Sequence, residues 1–276
     1  EHRSKAQEIS SFYSQAFIAS TLFRSIERLG VEGRDFLRLA SMLATAPIPA
    51  SLVSAVFSMV DNIDERSGKI RAMKAIFQAD HLSLAETTED ESGARSVHVL
   101  ISRTVRFKDS QPERLEMLHE TAIRALISKL SIVAEDQVHS ELRLIITHAR
   151  ELVNNKENIL TADLMRWVAR YDLFHGAYKS AETLLRHERD IRSLLLGTDH
   201  PDTLTTMNLL ASTLNRQGDY EGASKLNEQI LELRRKVLGN EHIDTLATMN
   251  NYATTLIYLG DYQGARKLQE QALNVI

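Results

Sequence analysis

Apolar residues recur with a helical spacing in the last third of the chain, and the same arrangement occurs twice. Leu204, Met207, Ala211 and Leu214 follow one another at intervals of three, four and three residues, which places them on one face of a helix. Residues 196–234 align without a gap on residues 238–276, at an offset of 42 residues and with 22 of 39 positions identical. A fainter copy lies one period upstream. A fixed period of this size predicts a helical solenoid, whose units bury their apolar faces against each other.

Each unit of this repeat is predicted to be a pair of helices. The first helix (204–216, then 246–258) stops at a glycine, and the second (219–237, then 261–276) begins one residue later. Gly218 and Gly260 suit the left-handed conformation that commonly ends a helix. Solenoids present extended surfaces to partners, so binding is favoured over catalysis.

The first half of the chain also has mostly helical periodicity. The predicted helices are 5–28, 33–45, 50–60, 69–78, 112–130 and 136–154. Residues 81–86 alternate between apolar and polar, and a polar turn separates them from a second strand-like segment at 94–98. Two short strands around such a turn predict a β-hairpin.

These elements predict a mostly α fold in three parts. Helices followed by a hairpin have the layout of a winged helix, which we assign to residues 1–110. A helical connector is expected at 111–157 and a solenoid of about three units, the last truncated, at 158–276.

A second, polar stripe runs beside the apolar one on the first helix of each unit. Asn208 and Asn250 occupy equivalent positions, and an asparagine amide can pair with a peptide backbone whatever its side chains are. Arginines in the upstream unit can bind a carboxylate through two hydrogen bonds. Solvation of an exposed helix face is the alternative explanation of the stripe. The candidate groove residues are Arg166, Arg170, Thr205, Asn208, Ser212, Asn215, Arg216, Asn250, Thr254 and Tyr258.

The motifs HPDTL…MN…A…L…GDYEGA and HIDTL…MN…A…L…GDYQGA resemble tetratricopeptide repeats, in the 42-residue form found in kinesin light chains. The resemblance covers about 158–276. It implies that the first helices line a concave groove, which in this family commonly holds an extended or helical peptide. A protein or peptide is therefore the expected partner.

The front half resembles the winged-helix region of NOD-like signal-transducing ATPases of the NB-ARC class. The phrase AIFQADHLSLAE followed by SVHVLISRTVR carries the resemblance, which covers about 1–108. The family's Met-His-Asp-like triplet corresponds here to Val97-His98-Val99, with valine in place of the aspartate. The resemblance implies that His98 contacts the phosphates of ADP in a longer, parent protein. It also implies a nucleotide-binding module in that protein as a partner of this region.

The motifs of nucleotide hydrolysis and metal catalysis do not occur in this sequence. No G-x-x-x-x-G-K-[ST] loop is present, so we expect no ATP hydrolysis and no cofactor in this chain, with ADP or ATP bound only by the parent protein. His119-Glu120 is not followed by the second histidine of a zinc protease, and no nucleophile elbow is found. We therefore expect neither catalytic residues nor metal ligands.

Composition narrows the partners further. The formal net charge is −4, so no overall basic field attracts nucleic acid or an anionic membrane. The chain has no cysteine, and no apolar run approaches the ~20 residues of a membrane span. We expect a cytoplasmic protein, and because the sequence starts at Glu1 and stops inside a repeat, a piece of a longer one.

Three functional hypotheses follow. The first is the regulatory and sensor part of a signal-transducing ATPase, with repeats that recognise a protein. The second is a plain repeat scaffold. The third is a DNA-binding winged helix, which a basic group near the hairpin favours and adjacent acidic residues oppose. The basic residues are Arg95, Arg103, Arg106 and Lys108, and the acidic ones are Asp80, Glu86, Glu89, Asp90 and Glu91.

Overall fold

The computed structural model describes residues 21–88, 94–108, 111–132, 140–154 and 156–273. Parts of four predicted elements lie outside these residues, namely 5–20, 89–93, 136–139 and 274–276. The described chain is mostly helical with one short antiparallel hairpin and a helical solenoid, so the predicted fold class is confirmed. Its contacts divide it into two compact units, Glu1–Asn155 and Lys156–Ile276.

In the first unit, helices precede and follow the hairpin along the chain. Residues 21–27 are helical (α1). The remaining elements are α2 (Val31–Met42), α3 (Ala50–Asp61), α4 (Glu65–His81), β1 (Glu86–Thr87), β2 (Arg95–Ser96), α5 (Val99–Lys108), α6 (Pro112–Ile132) and α7 (Ser140–Leu152). Helix α6 packs on α2 and α3, and α7 packs on α6.

The hairpin is present but shorter than the alternating pattern predicts. Glu86 pairs with Ser96 and Thr87 with Arg95, while His81 is the last residue of α4 and residues 82–85 form the turn that follows it. The helix continues because Ala72, Ala75, Ile76 and Ala79 keep its buried face. It is closed by a hydrogen bond from the amide of Leu84 to the carbonyl of Ala79 at 2.9 Å. Local alternation was therefore overridden by tertiary burial.

A cluster of charged side chains around the carboxylate of Asp35 joins four helices of the first unit. Asp35 is fully buried and accepts hydrogen bonds from Arg38 at 3.0 Å, Arg71 at 2.7 Å and Arg114 at 2.7 Å. Arg71 and Arg114 both also pair with Asp61 at the end of α3. Each buried charge in this cluster thus has an opposite charge in contact, which offsets the cost of removing it from water.

The second unit is a series of helix pairs. It contains α8 (Ile159–Phe174), α9 (Tyr178–Leu196), α10 (Pro201–Gln217), α11 (Tyr220–Leu238), α12 (Ile243–Tyr258) and α13 (Tyr262–Leu273). Each helix packs on the helices before and after it in the chain, and α10 also touches α12. This one-dimensional order of contacts is that of a solenoid.

The ends of the repeat helices are set by the residues that recur. The Nδ1 atom of His200 accepts a hydrogen bond from the amide of Asp202 at 3.2 Å, and His242 does the same for Asp244 at 3.1 Å. Gly218 ends α10 with a φ of +87°, and the next amide reaches back to Leu214. The repeated histidines and glycines therefore have structural roles at the helix ends.

Candidate functional site

The second unit contains three repeats and two junctions between them. Repeat 1 is α8 with α9, repeat 2 is α10 with α11, and repeat 3 is α12 with α13. We call the contact of repeats 1 and 2 the first junction, and that of repeats 2 and 3 the second junction. Residues 42 positions apart are equivalent, so the two junctions can be compared residue by residue.

At the second junction a threonine hydroxyl holds two asparagine side chains. The Oγ1 atom of Thr255 donates to the carbonyl of Asn251, one helical turn earlier, at 3.0 Å. The same oxygen accepts from the Nδ2 of Asn215 at 2.8 Å and from the Nδ2 of Asn227 at 3.0 Å. Because the single hydroxyl hydrogen is used on Asn251, both amides must turn their NH₂ groups toward Thr255. Their carbonyl oxygens consequently point elsewhere.

The two asparagines lie beside a pocket. The Oδ1 atoms of Asn215 and Asn227 are both buried and have no hydrogen-bond partner, and Asn227 as a whole has 0% of its surface exposed. The pocket has a volume of about 290 Å³ and lies among α10, α11 and α12. Its lining residues are Ser212, Asn215, Arg216, Tyr220, Asn227, Asn251, Thr254 and Tyr258. Two buried acceptors without donors thus lie behind the pocket wall, which is unusual for buried polar groups.

Half of the groove residues predicted from the sequence line this pocket. Ser212, Asn215, Arg216, Thr254 and Tyr258 all line it. The ring of Tyr258 stacks on that of Tyr220, with centroids 4.9 Å apart and planes 18° apart. This stack forms an aromatic wall that is still 57% exposed at Tyr258. Their role in binding a partner stays a prediction.

The other predicted residues of repeats 2 and 3 lie outside the pocket. Asn208 accepts a hydrogen bond from the Nδ2 of Asn251 at 3.1 Å, so one of its acceptor positions is occupied within the protein. Asn250 is exposed, and its backbone carbonyl accepts from Thr254. Thr205 is exposed and donates to the carbonyl of Pro201 at 2.8 Å. Asn208 and Asn250 therefore differ in surroundings although their positions in the repeat are equivalent.

The two predicted arginines lie on α8 and differ from each other. Arg170 is exposed, with its guanidinium 4.9 Å from the centre of the Trp167 ring. Arg166, by contrast, is bound inside the protein. Its Nε donates to Glu188 at 2.8 Å and its terminal nitrogen to the hydroxyl of Thr206 at 3.0 Å. The guanidinium that we expected to be available for a partner's carboxylate is thus already bound to one within the first junction.

Glu188 is the centre of a charge cluster at the first junction. It is fully buried, and its Oε1 also accepts from the Nε of Arg192 at 2.8 Å and from the hydroxyl of Thr206 at 2.9 Å. Arg192 in turn donates to Asp163. Burial alone would lower the pKa of the Arg192 guanidinium, but its hydrogen bonds to Glu188 and Asp163 outweigh burial and raise it. These contacts join α8, α9 and α10.

The equivalent arginine of the second junction has neutral partners. Arg234 donates to the carbonyl of Asp244 and to the hydroxyl of Thr248, both at 2.7 Å, while its Nε is buried without a partner. Burial lowers the pKa of this guanidinium, and the charge of Asp244 counters the shift in part. The equivalent of Glu188 here is Ile230, which is also fully buried.

Three lining residues, Tyr220, Asn227 and Asn251, were not predicted from the sequence. Tyr220 is one of the tyrosines that recur at the start of the second helix of each repeat, so its recurrence alone did not distinguish it as a site residue. Asn227 carries a usable signal, because its equivalent in repeat 1 is the buried Leu185. A polar residue at a position that is apolar and buried in a neighbouring repeat is worth treating as a candidate site residue.

In the first unit, His98 is the residue immediately before α5. Its Nδ1 accepts a hydrogen bond from the amide of Leu100 at 3.2 Å, and its carbonyl accepts from the amide of Ile101. The side chain is exposed. A nucleotide contact by His98 stays a prediction. Of the basic residues that favoured DNA binding, Arg95 is bound to Asp80 at 3.0 Å, which reduces the positive charge of the hairpin.

Neither a metal site nor a membrane span is found in the part of the chain that the structure describes. There, no three histidine or carboxylate side chains come close enough together to hold a metal ion. Across the same residues, none of the helices combines the length and apolarity that crossing a bilayer requires.

The repeats of the second unit resemble a known protein family. The tetratricopeptide repeat family model matches residues 160–236 and, overlapping them, residues 206–276. None of the curated proteins matches the sequence significantly. Solved structures with a similar course of chain include a putative kinesin light chain with nearly identical tetratricopeptide-like repeats from Podosopora anserina. It has 17% identity and a TM-score of 0.49 over 82% of this chain and 95% of that one.

Two further structures have lower similarity. BtubC (BKLC) from P. vanneervenii has 14% identity and a TM-score of 0.43 over 82% of this chain and 88% of that one. A Signal Transduction ATPase with Numerous Domains from Pyrococcus horikoshii, with a tetratricopeptide repeat sensor, has 15% identity and a TM-score of 0.28. The match covers 91% of this chain and 45% of that one. The family match, the 42-residue period and the helix pairs together identify residues 160–276 as tetratricopeptide repeats.

Proposed function

We propose that the repeats bind a protein or peptide partner on the face where α10 and α12 meet, with the pocket of the second junction at its centre. The observation that carries the proposal is the pocket itself, which is lined by Arg216 and by the stacked rings of Tyr220 and Tyr258, with Tyr258 57% exposed. Aromatic and arginine side chains such as Tyr258 and Arg216 are also the types that contribute most to binding at interfaces.

The test is a peptide selected from a random display library against the full chain. Its affinity is then measured by fluorescence anisotropy with variants of the chain. Tyr258→Ala and Arg216→Ala should each weaken binding at least ten-fold, while Tyr262→Ala, an exposed tyrosine on α13, should leave it unchanged. The double change Asn208→Ala with Asn250→Ala should also reduce affinity. Equal affinity for all these variants would disprove this location of the binding face.

We further propose that the partner-binding repeats regulate a nucleotide-dependent switch in the parent protein. The support is the resemblance of residues 1–108 to the winged-helix region of NB-ARC ATPases, together with the exposed position of His98 at the start of α5. The chain alone should show no ATP binding in calorimetry. In the full-length protein, His98→Ala should speed ADP release. An unchanged ADP release rate, or no phosphate-binding loop before this chain in the full-length protein, would leave the plain repeat scaffold as the function.

A further inference from the structure

We infer that the solenoid opens at its second junction: repeat 3 separates from repeat 2 as a unit in the free chain, and a partner bound across α10 and α12 holds the junction closed. The opening rests on contacts within the chain alone. Its control by a partner rests on the proposed function above, because the pocket of that proposal is formed by α10, α11 and α12. The first junction is the reference, because the same helices in the same order form both.

Apolar packing across the two junctions differs. One buried cluster runs through all four helices of repeats 1 and 2 and includes Leu185 of α9 and Leu204 of α10. Among the described residues, the buried cluster that crosses the second junction is smaller and consists of Leu231, Met249 and Ala272. Because the free energy of burial scales with the apolar area removed from water, the second junction has less of this stabilisation than the first.

Repeat 3 has a buried cluster of its own. Ala253 and Leu256 of α12 pack with Ala265 of α13, and the half-buried Tyr252 and Leu268 that cover them also lie in repeat 3. These contacts hold the two helices together without residues of repeat 2. Repeat 3 can therefore leave the solenoid as one helix pair.

A pair of equivalent threonines shows the difference in polar contacts. The hydroxyl of Thr203 donates to the carbonyl of Gly197 at 2.8 Å and so joins the start of α10 to the end of α9. Its equivalent, Thr245, is also fully buried, but its Oγ1 has no hydrogen-bond partner among the described residues. Opening breaks a side-chain hydrogen bond at Thr203 but gives the hydroxyl of Thr245 access to water.

Other buried polar atoms of the second junction repeat this pattern. The Nε of Arg234 and the Oδ1 atoms of Asn215 and Asn227 are buried without partners in the described part of the chain. The Nε of Arg192, equivalent to that of Arg234, donates to Glu188 at 2.8 Å. Since water reaches these atoms once the helices part, opening at the second junction recovers hydrogen bonds, whereas at the first it breaks ion pairs.

The contacts that bridge the second junction beside the pocket are few and near the surface. Tyr220 of α11 stacks on Tyr258 of α12, and the amide of Asn251 on α12 donates to Asn208 on α10 at 3.1 Å. Asn251, Asn208 and Tyr258 are exposed. A partner that contacts α10 and α12 together adds interactions that exist only in the closed form, so its binding shifts the equilibrium toward that form.

The absence of cysteine from the sequence provides a direct test on the full chain. Met207→Cys and Met249→Cys place a single thiol at equivalent, buried positions of the first and second junctions. The rate of reaction with the thiol reagent DTNB, divided by the rate in the urea-unfolded variant, measures opening around each thiol. The Met249→Cys thiol should react at least ten-fold faster than the Met207→Cys thiol, with unchanged helix content by circular dichroism.

Hydrogen exchange of the unaltered chain is the second measurement, which does not depend on how the cysteine variants fold. Amides of α12 should exchange at least ten-fold faster than those of α10.

Matched variants separate missing polar contacts from general fraying at the end of a solenoid. In the Met249→Cys chain, Asn215→Leu with Asn227→Leu imports the residues of the first junction and should slow labelling at least ten-fold. Thr245→Val removes the unpartnered hydroxyl and should also slow it. In the Met207→Cys chain, the equivalent Thr203→Val removes a hydrogen bond and should speed labelling.

The control for these variants is Gln263→Leu, which removes an exposed amide on α13. It should leave labelling of the Met249→Cys chain unchanged.

Two results would overturn the opening. One is equal corrected labelling of the two thiols together with equal exchange of α10 and α12. The other is fast labelling at position 249 that the double leucine change leaves unaltered, since the end of the solenoid would then fray whatever its polar contacts.

The peptide selected for the proposed function tests the control of the junction by a partner. At a saturating concentration it should slow labelling of the Met249→Cys thiol at least ten-fold. A peptide that depends on Tyr258 and Arg216 but leaves labelling fast would overturn this control. If no peptide depends on that face while the thiol rates differ as expected, the opening stands and the proposed function is wrong. If the peptide binds there but both thiols are equally protected without it, the proposed function stands and this inference falls.

Discussion

The two junctions of the solenoid have the same helices in the same order but are held together differently. At the first, Glu188 accepts hydrogen bonds from two arginines and a threonine, so opposite charges meet in the interior. At the second, its equivalent is Ile230, and Arg234 is bound only by uncharged oxygens. Near the helix ends the contrast recurs, with Leu173 and Leu185 at the first junction and Asn215 and Asn227 at the second.

The two junctions also differ in how far their buried polar atoms are paired within the protein. The first junction satisfies nearly all of its polar atoms internally, leaving only the second oxygen of Glu188 without a partner among the atoms of its charge cluster. The second leaves Asn215, Asn227 and Arg234 each with an unpartnered buried atom, and two of these residues face a pocket. Divergence between the repeats has thus left two equivalent contacts with different degrees of internal pairing.

The largest predicted effect is that of Glu188→Ala. This change leaves the guanidinium groups of Arg166 and Arg192 buried without their shared carboxylate. Breaking a buried ion pair from one side typically costs about 3–5 kcal/mol of unfolding free energy. Urea denaturation followed by circular dichroism measures the loss, and hydrogen exchange of α9 and α10 should locate it at the first junction.

Two variants serve as controls for this prediction. Glu228→Ala, on the exposed side of α11, should change stability by less than about 0.5 kcal/mol. Glu188→Ile combined with Arg166→Asn copies two residues of the second junction and should cost less than Glu188→Ala, because only Arg192 then loses its contact with Glu188, while its hydrogen bond to Asp163 remains. If Glu188→Ala proves no worse than Glu228→Ala, the charge cluster does not hold the first junction.

The next largest effect is expected from Ala211→Leu. Ala211 is 1% exposed and belongs to the apolar cluster that spans the first junction, together with Leu185 and Leu204. Adding three carbons there should cost about 1–3 kcal/mol through overpacking. Ser212→Leu, one residue further along and exposed, is the matched control for thermal denaturation. Equal midpoints for the two variants would contradict close packing at Ala211.

The sequence was sufficient to predict the periodic features of the solenoid. The spacing of Leu204, Met207, Ala211 and Leu214 predicted a buried stripe, and all four residues are buried. Gly218 was predicted to end a helix and does so with a positive φ. These properties depend on residues that are near each other in sequence and on a pattern that repeats. Both can be read from a single sequence.

Contacts between residues that are far apart in the sequence could not be predicted from it. Arg166 belongs to a polar stripe, and nothing in that stripe shows that Glu188, 22 residues later on the next helix, would bind it. The amide pair of Asn215 and Asn227 likewise depends on Thr255, 40 and 28 residues away. Predicting which polar side chains pair across helices requires their three-dimensional positions. Predicting the period of a helix or the residue that caps it does not.

A gain in stability is predicted for Asn215→Leu with Asn227→Leu. The double change removes two buried acceptors that have no donor in the free protein, while Thr255 keeps its hydrogen bond to Asn251. We expect the unfolding free energy to rise by about 1–2 kcal/mol, since each unsatisfied buried group carries a desolvation cost of about 1–3 kcal/mol and some hydrogen bonds to Thr255 are lost. Urea denaturation measures the change, and a marked loss of stability would show that the amides stabilise the second junction rather than weaken it.

The smallest predicted effect is a difference in acid sensitivity between the junctions. Burial favours the neutral acid of Glu182, but hydrogen bonds from Arg186, Lys179 and Gln217 outweigh burial and lower its pKa from the usual 4.5 to about 2. Gln217 lies on α10, so this carboxylate bridges the first junction, whereas the equivalent positions at the second are Ser224 and Leu259. Because the folded pKa is depressed, the stabilisation is complete above pH 4.5 and is lost as the pH falls toward 2. The partners Lys179 and Arg186 are largely exposed, so we expect a contribution on the order of 1 kcal/mol.

Glu182→Gln should therefore lower the thermal midpoint at pH 6, and this gap between the midpoints of the variant and the wild-type chain should close near pH 2. The exposed Glu221→Gln should show no such gap, and a gap of equal size at pH 2 and pH 6 would assign the loss to packing rather than to charge.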